Sequence, residues 1–129
     1  LAGIYGPGRV PLIGRLRRGQ PIPTSPQGWL NLIHVDDAAA AVMASWDSEA
    51  PSRLYAVADD RPVRRGEFYR YVARRAGVGN ARFDLSAGGN LSRRSASDKR
   101  IWNRRMKREL LPELRFPSYL QGIDQALIG

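Results

Sequence analysis

The 129 residues contain no cysteine and one histidine, His34, which excludes disulfides, thiolate metal sites and a histidine-built metal centre. A chain of this length can bury a core of its own, and we expect one domain over residues 1–129. Its apolar runs fall well short of the roughly 20 residues that span a bilayer, and no signal leader is recognisable. We therefore expect a cytoplasmic protein with no membrane partner.

The chain is strongly basic, with 21 Lys and Arg against 12 Asp and Glu and a formal net charge of +9. Such a balance is compatible with a nucleic acid or an anionic ligand as partner. Only two of the basic residues, Lys99 and Lys107, are lysines. So strong a preference for arginine can arise from the composition of a whole genome, and we favour that explanation of the charge.

The most informative stretch is NLIHVDDAAAAVMASW. A short strand over 31–33 is predicted to lead, through a turn, into an alanine-rich helix that ends at Trp46. Asp36 or Asp37 is the expected helix cap, because a carboxylate there accepts hydrogen bonds from free backbone N–H groups. His34 lies between strand and helix. A general base is one possible role for it, but we favour a structural hydrogen-bonding role.

Glycine and proline dominate the start of the chain. LAGIYG is typical of the end of a buried strand, and GPGR, residues 6–9, predicts a tight turn. The glycine spacing differs from G-x-G-x-x-G and Pro7 removes a backbone N–H, which excludes a phosphate-binding loop there. A helix over 10–18 follows, and residues 19–28 are predicted to form a proline-rich surface loop.

The second half alternates predicted strands and helices. LYAVADD, residues 54–60, is predicted to be a buried strand that ends in two solvated carboxylates, Asp59 and Asp60. The further predicted elements are a helix over 66–76 ended by Gly77, a short strand over 81–85, a loop over 86–97, a strand over 99–102, a helix capped by Asn103 with Met106 and Leu110 buried, and a closing helix within 115–127.

Several of these segments resemble, in the same order, the motifs of the extended short-chain dehydrogenase/reductase (SDR) superfamily, the NAD-dependent epimerases and dehydratases. LAGIYGPGR is similar to N-x-Y-G-P, NLIHVDDAAA to I-H-V-x-D before an alanine-rich helix, and LYAVADDRPV to V-Y-N-V-x-D-D followed by P-V. KRIWNRRMKREL and RFPSYLQGIDQAL resemble the late K-R-x-x-N-x-K-x-K-x-E-L element and the closing Y-P-S-Y-x-x-G-L helix. The resemblance implies an α/β fold, the C-terminal portion of a Rossmann-like extended SDR fold with short strands and packed helices.

The resemblance also implies where ligands bind. NAD or NADP would be held mainly by an N-terminal Rossmann half that is absent from this sequence, with Leu1 and Ala2 near the nicotinamide. A small-molecule substrate would contact four further residues of this chain: Gly3, Gly8, Arg9 and Asn31.

Three positions depart from the pattern that the resemblance implies. Gly3 stands where a substrate-contacting asparagine is common, and Ala56 stands where another asparagine is usual. Leu30 stands where sugar-nucleotide enzymes carry an arginine that pairs with the substrate diphosphate. These departures weaken the expectation of a sugar-nucleotide substrate.

The catalytic pair of the superfamily is missing from the sequence. In Y-x-x-x-K, the lysine lowers the pKa of the tyrosine, but no tyrosine here is followed by lysine at the fourth position, and no G-x-G-x-x-G occurs. We therefore assign no catalytic and no metal-binding residue. The expected function is the substrate-binding part of an NAD(P)-dependent epimerase/dehydratase or reductase, inactive alone. Open strand edges would make the chain form a homo-oligomer or associate with the missing half.

Two other functions stay open. Residues 93–108 carry eight basic side chains against Asp98, with Trp102 among them, a pattern that can bind single-stranded nucleic acid. We favour a solvated helix face for this segment and consider nucleic acid the less probable partner. The fold can also serve as a non-catalytic regulatory scaffold.

Overall fold

The computed structural model describes residues 2–49, 54–88 and 98–128. Short strands and packed helices alternate along these ranges, which confirms the predicted α/β class. None of the helices within them has the length and apolarity needed to cross a membrane. The elements are β1 (Gly3–Tyr5), α1 (Ile13–Arg17), β2 (Trp29–Leu30), β3 (Leu32–His34), α2 (Val35–Asp47), β4 (Val63–Arg64), α3 (Arg65–Ala76), a 3-10 turn (Leu85–Gly88), α4 (Arg104–Glu109) and α5 (Tyr119–Ile128).

The chain forms two compact units. Unit 1 holds β1, β3, α2, α4 and α5, in residues 2–9, 31–49, 54–62 and 101–128. Unit 2 holds α1, β2, β4 and α3, in residues 10–30, 63–88 and 98–100. The expectation of a single domain over 1–129 stays a prediction. The sequence interpretations of Leu1 and of residues 89–97 lie outside the described residues.

A parallel pair of short strands forms the centre of unit 1. β1 runs beside β3 in register, from Gly3 opposite Leu32 to Tyr5 opposite His34. All three residues of β3 are fully buried, as in parallel strands that are covered on both faces. The predicted strand over 31–33 therefore exists, shifted by one residue. Apolar side chains, mostly alanines, build the core with it: Ala2, Ile33, Ala38, Ala41, Ala58, Met106 and Leu114.

Unit 2 is organised by α3, which begins one residue earlier than predicted. Phe68, Val72 and Ala73 are buried on the predicted apolar face. Gly77 ends the helix as predicted: its N–H bonds the carbonyls of Ala73 and Arg74, and its left-handed backbone (φ 70°) turns the chain so that Val78 N–H reaches the Ala73 carbonyl (3.0 Å). Ahead of the helix, β2 and β4 form an antiparallel pair.

The helix predicted over 10–18 is shorter in the structure, where α1 begins only at Ile13. Leu12 has a left-handed backbone (φ 55°), a conformation that interrupts a right-handed helix, so the helix starts after it. The following loop over 19–28 is also less exposed than predicted. Ile22 and Thr24 within it are buried.

The strand predicted over 54–60 is absent as a regular element. Its backbone makes three separate hydrogen bonds instead: from Ala2 N–H to the Val57 carbonyl (3.0 Å), from Asp59 N–H to the Leu32 carbonyl (2.7 Å) and from Asp60 N–H to the Pro117 carbonyl (2.9 Å). A strand needs a neighbour that pairs along its length, and these bonds join it to three different segments.

The strands predicted over 81–85 and 99–102 do not form either. A single bridge between Ile22 and Phe83 replaces the first. No strand pairing is present at residues 99–102. One bridge does not make the repeated ladder of hydrogen bonds that defines a strand.

α4 follows the predicted cap residue, Asn103, but the side chain of this residue does not cap the helix. Its amide donates to the Ala58 carbonyl (3.0 Å) and to Asp60 Oδ1 (2.8 Å). Met106 is buried as predicted, and Leu110 is half-buried. Asn103 therefore ties α4 to the segment that precedes residue 61.

α5 occupies most of the closing helix predicted within 115–127. Ser118 Oγ accepts a hydrogen bond from Leu120 N–H (3.2 Å), and Gln121 Oε1 accepts one from Ser118 N–H (2.9 Å). This reciprocal pair satisfies two backbone donors at the helix start, as in a capping box. It explains why the helix begins after Ser118 rather than at residue 115.

Gly122 of α5 is packed directly against the side chain of Tyr5. A Cβ at position 122 would overlap the Tyr5 hydroxyl, since both residues are buried and the neighbouring atoms cannot retreat into solvent. We expect Gly122→Ala to lower the free energy of unfolding by about 1–3 kcal/mol, measured by urea denaturation. The control is Gly79→Ala, because no atom lies within 4 Å of a Cβ at position 79. Equal stability of the two variants would contradict the packing.

Candidate functional site

The two parallel strands of unit 1 end side by side, at Tyr5 and His34. After β1 the chain makes the predicted tight turn, in which Gly6 and Arg9 exchange backbone hydrogen bonds of 2.9 and 2.8 Å. After β3 the chain enters α2 at once. Ligands of α/β proteins bind outside the carboxyl ends of parallel strands. We call this end of β1 and β3 the carboxyl edge and take it as the candidate site.

Two of the predicted substrate residues meet at the other end of the strand pair. Gly3 N–H donates to the Asn31 carbonyl (2.9 Å), while Ala2, the predicted cofactor contact, is buried and donates to the Val57 carbonyl (3.0 Å). Asn31 Oδ1 accepts a hydrogen bond from Ile101 N–H (2.7 Å). The side-chain oxygen of Asn31 therefore anchors the backbone at Ile101 to the residue that precedes β3.

The other two predicted substrate residues lie in the turn at the carboxyl edge. Gly8 has a left-handed backbone (φ 76°) and donates to the Ala126 carbonyl (3.3 Å). Arg9 is exposed, and its Nε donates to the Ile4 carbonyl (3.2 Å). The four predicted residues thus form two pairs at opposite ends of β1, and their contacts with a substrate stay predictions.

His34 caps α2, whereas the sequence predicted Asp36 or Asp37. Its Nδ1 accepts a hydrogen bond from Asp36 N–H (3.1 Å), so the proton of the neutral ring is on Nε2, which lies 2.7 Å from Gln125 Oε1. The fully buried ring stacks on Phe116 with 3.8 Å between ring centres. Both nitrogens are engaged, which gives His34 the structural role favoured from the sequence.

Asp37 is a buried acceptor instead of a cap. It is 3% exposed, and its two oxygens accept hydrogen bonds from the N–H groups of Arg115 and Phe116, both at 2.8 Å. Such bonds to a charged acceptor are stronger than neutral ones. Asp37 therefore fixes the segment before α5 to the first turn of α2.

Asp59 is buried, so the prediction that it is a solvated carboxylate is wrong. It is 2% exposed; Oδ1 accepts from Arg61 N–H (2.9 Å), and within the described ranges Oδ2 has no hydrogen-bond partner. Burial raises the pKa of Asp59 to about 7 against the lowering effect of the Arg61 bond, and the charges of Asp60 and Asp37 raise it further. Asp60 is exposed as predicted and binds Lys107 Nζ at 3.0 Å.

Tyr5 completes the buried polar groups at the carboxyl edge. Its hydroxyl donates to the Ser118 carbonyl (3.3 Å), and burial, followed by the charges of Asp59 and Asp37, raises its pKa well above the ordinary value. A phenol in this state does not act as a base near neutral pH. Among the described residues, no group of His, Asp and Glu side chains could hold a metal ion.

The sequence contained a signal for one of the two buried carboxylates. Asp37 lies four residues before Ala41, on the buried face of α2. Asp59 carries no such signal, because it and the preceding Ala58 are both buried and the segment does not alternate as a strand does. The general preference of Asp for solvent predicts exposure at both positions.

The basic segment over 93–108 is only partly described, since Arg93 and Arg94 fall outside the described residues. Trp102 is 64% exposed, with the Arg104 guanidinium 5.1 Å from its ring centre. Three basic side chains of the segment lie 3.0–3.9 Å from carboxylate oxygens: Arg105, Lys107 and Arg108. These ion pairs neutralise much of the positive charge that a bound polyanion would otherwise neutralise.

Three solved structures are similar to this chain. A conserved protein of unknown function from Silicibacter pomeroyi is 33% identical, with a TM-score of 0.79 over 96% of this chain and 45% of that one. A Methylobacillus flagellatus protein provisionally assigned as an NAD-dependent epimerase/dehydratase is 28% identical, with a TM-score of 0.66 over 98% and 44%. The UDP-glucose 4-epimerase of Thermus thermophilus, in complex with NAD, is 18% identical, with a TM-score of 0.65 over 98% and 43%.

The third similarity shows the fold alone, because the sequence identity is low. No protein-family model and no curated protein matches the sequence. The chain spans less than half the length of each of the three structures. The shared fold and the ordered motifs lead to one conclusion: the chain has the fold of part of an extended short-chain dehydrogenase/reductase and is similar to the NAD-dependent epimerases and dehydratases.

Proposed function

We propose that this chain is the substrate-binding part of an NAD(P)-dependent epimerase/dehydratase or reductase and is catalytically incomplete alone. The fold similarity to proteins more than twice its length supports this proposal. The absence of Y-x-x-x-K and of G-x-G-x-x-G from the sequence supports it as well. Residues outside this sequence would supply the base and the dinucleotide-binding loop.

The observation that carries the proposal is the exposed guanidinium of Arg9 at the carboxyl edge. One of its N–H groups bonds the Ile4 carbonyl, which orients the side chain and leaves the other donors of the fork for a ligand. Arginine suits carboxylate, phosphate and hydroxyl groups of a small-molecule substrate. Gly8 beside it has no side chain and leaves room for such a ligand.

The described residues do not by themselves fit a dinucleotide. The N–H of Ala2 is engaged with Val57, and the buried alanine can offer a nicotinamide only apolar contact. Hydride transfer would be supplied by NAD or NADP when bound by the rest of the protein. The role of the present chain would be to position the substrate.

We also propose that unit 1 is covered by further protein, either the N-terminal half or a second copy, in the cytoplasm. Large apolar side chains of α2 are exposed: Val42 by 68%, Met43 by 61% and Trp46 by 86%. A contiguous apolar face of this kind is unusual for a free surface. Association would remove it from water.

Kinetics of the full polypeptide test the role of Arg9. We expect Arg9→Gln to raise KM about tenfold for whichever carbonyl or sugar substrate consumes NAD(P)H in a panel screen, because a charged contact is lost. The Kd for NAD(P)H should stay unchanged, since the cofactor is held elsewhere. The matched control is Arg104→Gln, which removes an exposed guanidinium of unit 1 from outside the carboxyl edge.

An unchanged KM in Arg9→Gln would contradict the substrate role of the turn.

A second candidate function, nucleic-acid binding, is favoured by the exposed Trp102 beside Arg104. A filter-binding titration with random single-stranded RNA tests it, because such binding weakens steeply as salt rises. Absence of NADPH binding by the full polypeptide would favour the scaffold role.

A further inference from the structure

Unit 2 carries the whole positive excess of the chain. Its described residues, 10–30, 63–88 and 98–100, contain 11 Lys and Arg against three Asp and Glu, whereas the described residues of unit 1 contain seven against nine. A genome-wide preference for arginine over lysine does not separate charge between two parts of one chain. The asymmetry therefore indicates a local cause, such as an anionic ligand of unit 2.

A cavity of about 260 Å³ lies beside the C-terminal half of α3, and every residue that lines it belongs to unit 2. Arg70 and Arg74, one helical turn apart, contribute to one wall, and residues 78–81 contribute to the other. No carboxylate lines the cavity. Pockets for drug-sized molecules start at roughly 300 Å³, so this one suits a smaller group.

The two arginines are oriented by aromatic rings rather than by acids. The Arg70 guanidinium lies 5.3 Å from the centre of the Phe83 ring, and that of Arg74 lies 6.0 Å from the Tyr71 ring. In the described part of the chain, neither pairs with a carboxylate. Like charges one turn apart on a helix repel, and an anion between them would relieve that repulsion.

The loop that closes the cavity offers further donors. Gly79, Asn80 and Ala81 have backbone N–H groups that donate to no protein acceptor in the described ranges. Backbone N–H groups bind anions when several of them converge on one point. The partial negative charge at the C-terminal end of α3 is reduced, because the N–H groups of Gly77 and Val78 already bond the last carbonyls of the helix, at 3.2 and 3.0 Å.

We propose that this cavity binds a phosphate-sized oxyanion, either free phosphate or the phosphate group of a small metabolite, between Arg70, Arg74 and the loop over 79–81. Arginine forks bind phosphate oxygens in a bidentate manner, and the backbone donors would complete the shell. The proposal is independent of the substrate role of Arg9.

Calorimetric titration with inorganic phosphate and with glycerol 3-phosphate, at constant ionic strength, tests the site. We expect saturable binding at one site per chain and at least tenfold weaker binding in Arg70→Gln and in Arg74→Gln. Arg17→Gln is the matched control, because Arg17 is exposed on α1 and its removal changes the net charge equally. Its affinity for phosphate should equal that of the wild type.

Tighter binding of glycerol 3-phosphate than of inorganic phosphate would identify a phosphorylated metabolite as the ligand, and equal affinity would identify free phosphate. The absence of saturable binding would overturn the proposal. An equal loss of affinity in Arg17→Gln would overturn it too, because it would reveal diffuse attraction to the charge of the chain. Binding of single-stranded RNA alone, with no response to either phosphate, would assign the charge to a different partner.

Discussion

Replacement of Asp59 by asparagine is expected to remove a large pH dependence of stability. Burial raises the pKa of Asp59 from 3.8 to about 7, so the folded protein binds a proton that the unfolded chain has released. The stabilisation is complete below pH 3.8 and is lost as the pH rises through about 7. The shift corresponds to about 4 kcal/mol between pH 4 and pH 8.

Urea denaturation of the wild type and of Asp59→Asn between pH 4.5 and pH 8.5 provides the measurement. The difference in free energy of unfolding between the two proteins reports on the Asp59 carboxyl group, and it should grow in favour of the variant as the pH rises. Asp47→Asn is the control, since Asp47 is exposed on α2 and the substitution removes the same carboxyl group from a solvated position. A constant difference between wild type and Asp59→Asn would show that Asp59 is ionised and solvated when folded.

Replacement of Asp37 by alanine is expected to lower the free energy of unfolding by about 3 kcal/mol, because two backbone donors lose a charged acceptor. The donors are the N–H groups of Arg115 and Phe116, and the second is buried. Asp37→Asn should lower the free energy of unfolding by about half as much, since one oxygen remains to accept a hydrogen bond. Chemical denaturation at pH 7 measures both variants.

The neighbouring Asp36 offers a matched control on the same helical turn. Its carboxylate is 45% exposed and lies 3.6 Å from the Arg115 guanidinium. Exposed ion pairs contribute at most about 1 kcal/mol, so Asp36→Ala should change stability by less than that. If Asp36→Ala destabilised the protein as much as Asp37→Ala, the effect would come from the helix dipole rather than from the buried hydrogen bonds.

Patterns of local sequence predicted the helices well and the strands poorly. α3 has an apolar face of period 3.6 and a terminal glycine, and both signals act within the helix itself. Residues 54–60 have the composition of a strand, but strand formation depends on a partner segment that the composition cannot specify. The closing helix was placed correctly, and its start at Tyr119 depends on the Ser118–Gln121 pair.

The candidate site was predictable only in outline. The residue types of Gly6 to Arg9 predict a turn, and that turn lies at the carboxyl edge. The burial of Asp59 depends on a hydrogen bond of its N–H to Leu32, far away in the sequence. The position of the His34 ring likewise depends on Gln125 of α5 and on Phe116, both far away in the sequence. Contacts between residues so far apart in the sequence cannot be predicted from a local sequence pattern.

Binding of reduced nicotinamide cofactors tests the central claim most directly. NADH and NADPH are titrated, with calorimetric detection, into the 129-residue chain and into the full polypeptide that its gene encodes. We predict saturable binding of one of them by the full polypeptide and none by the chain alone, because G-x-G-x-x-G does not occur in this sequence. Saturable binding by the chain alone, or none by the full polypeptide, would contradict the assignment of this chain as the substrate-binding part of an NAD(P)-dependent enzyme.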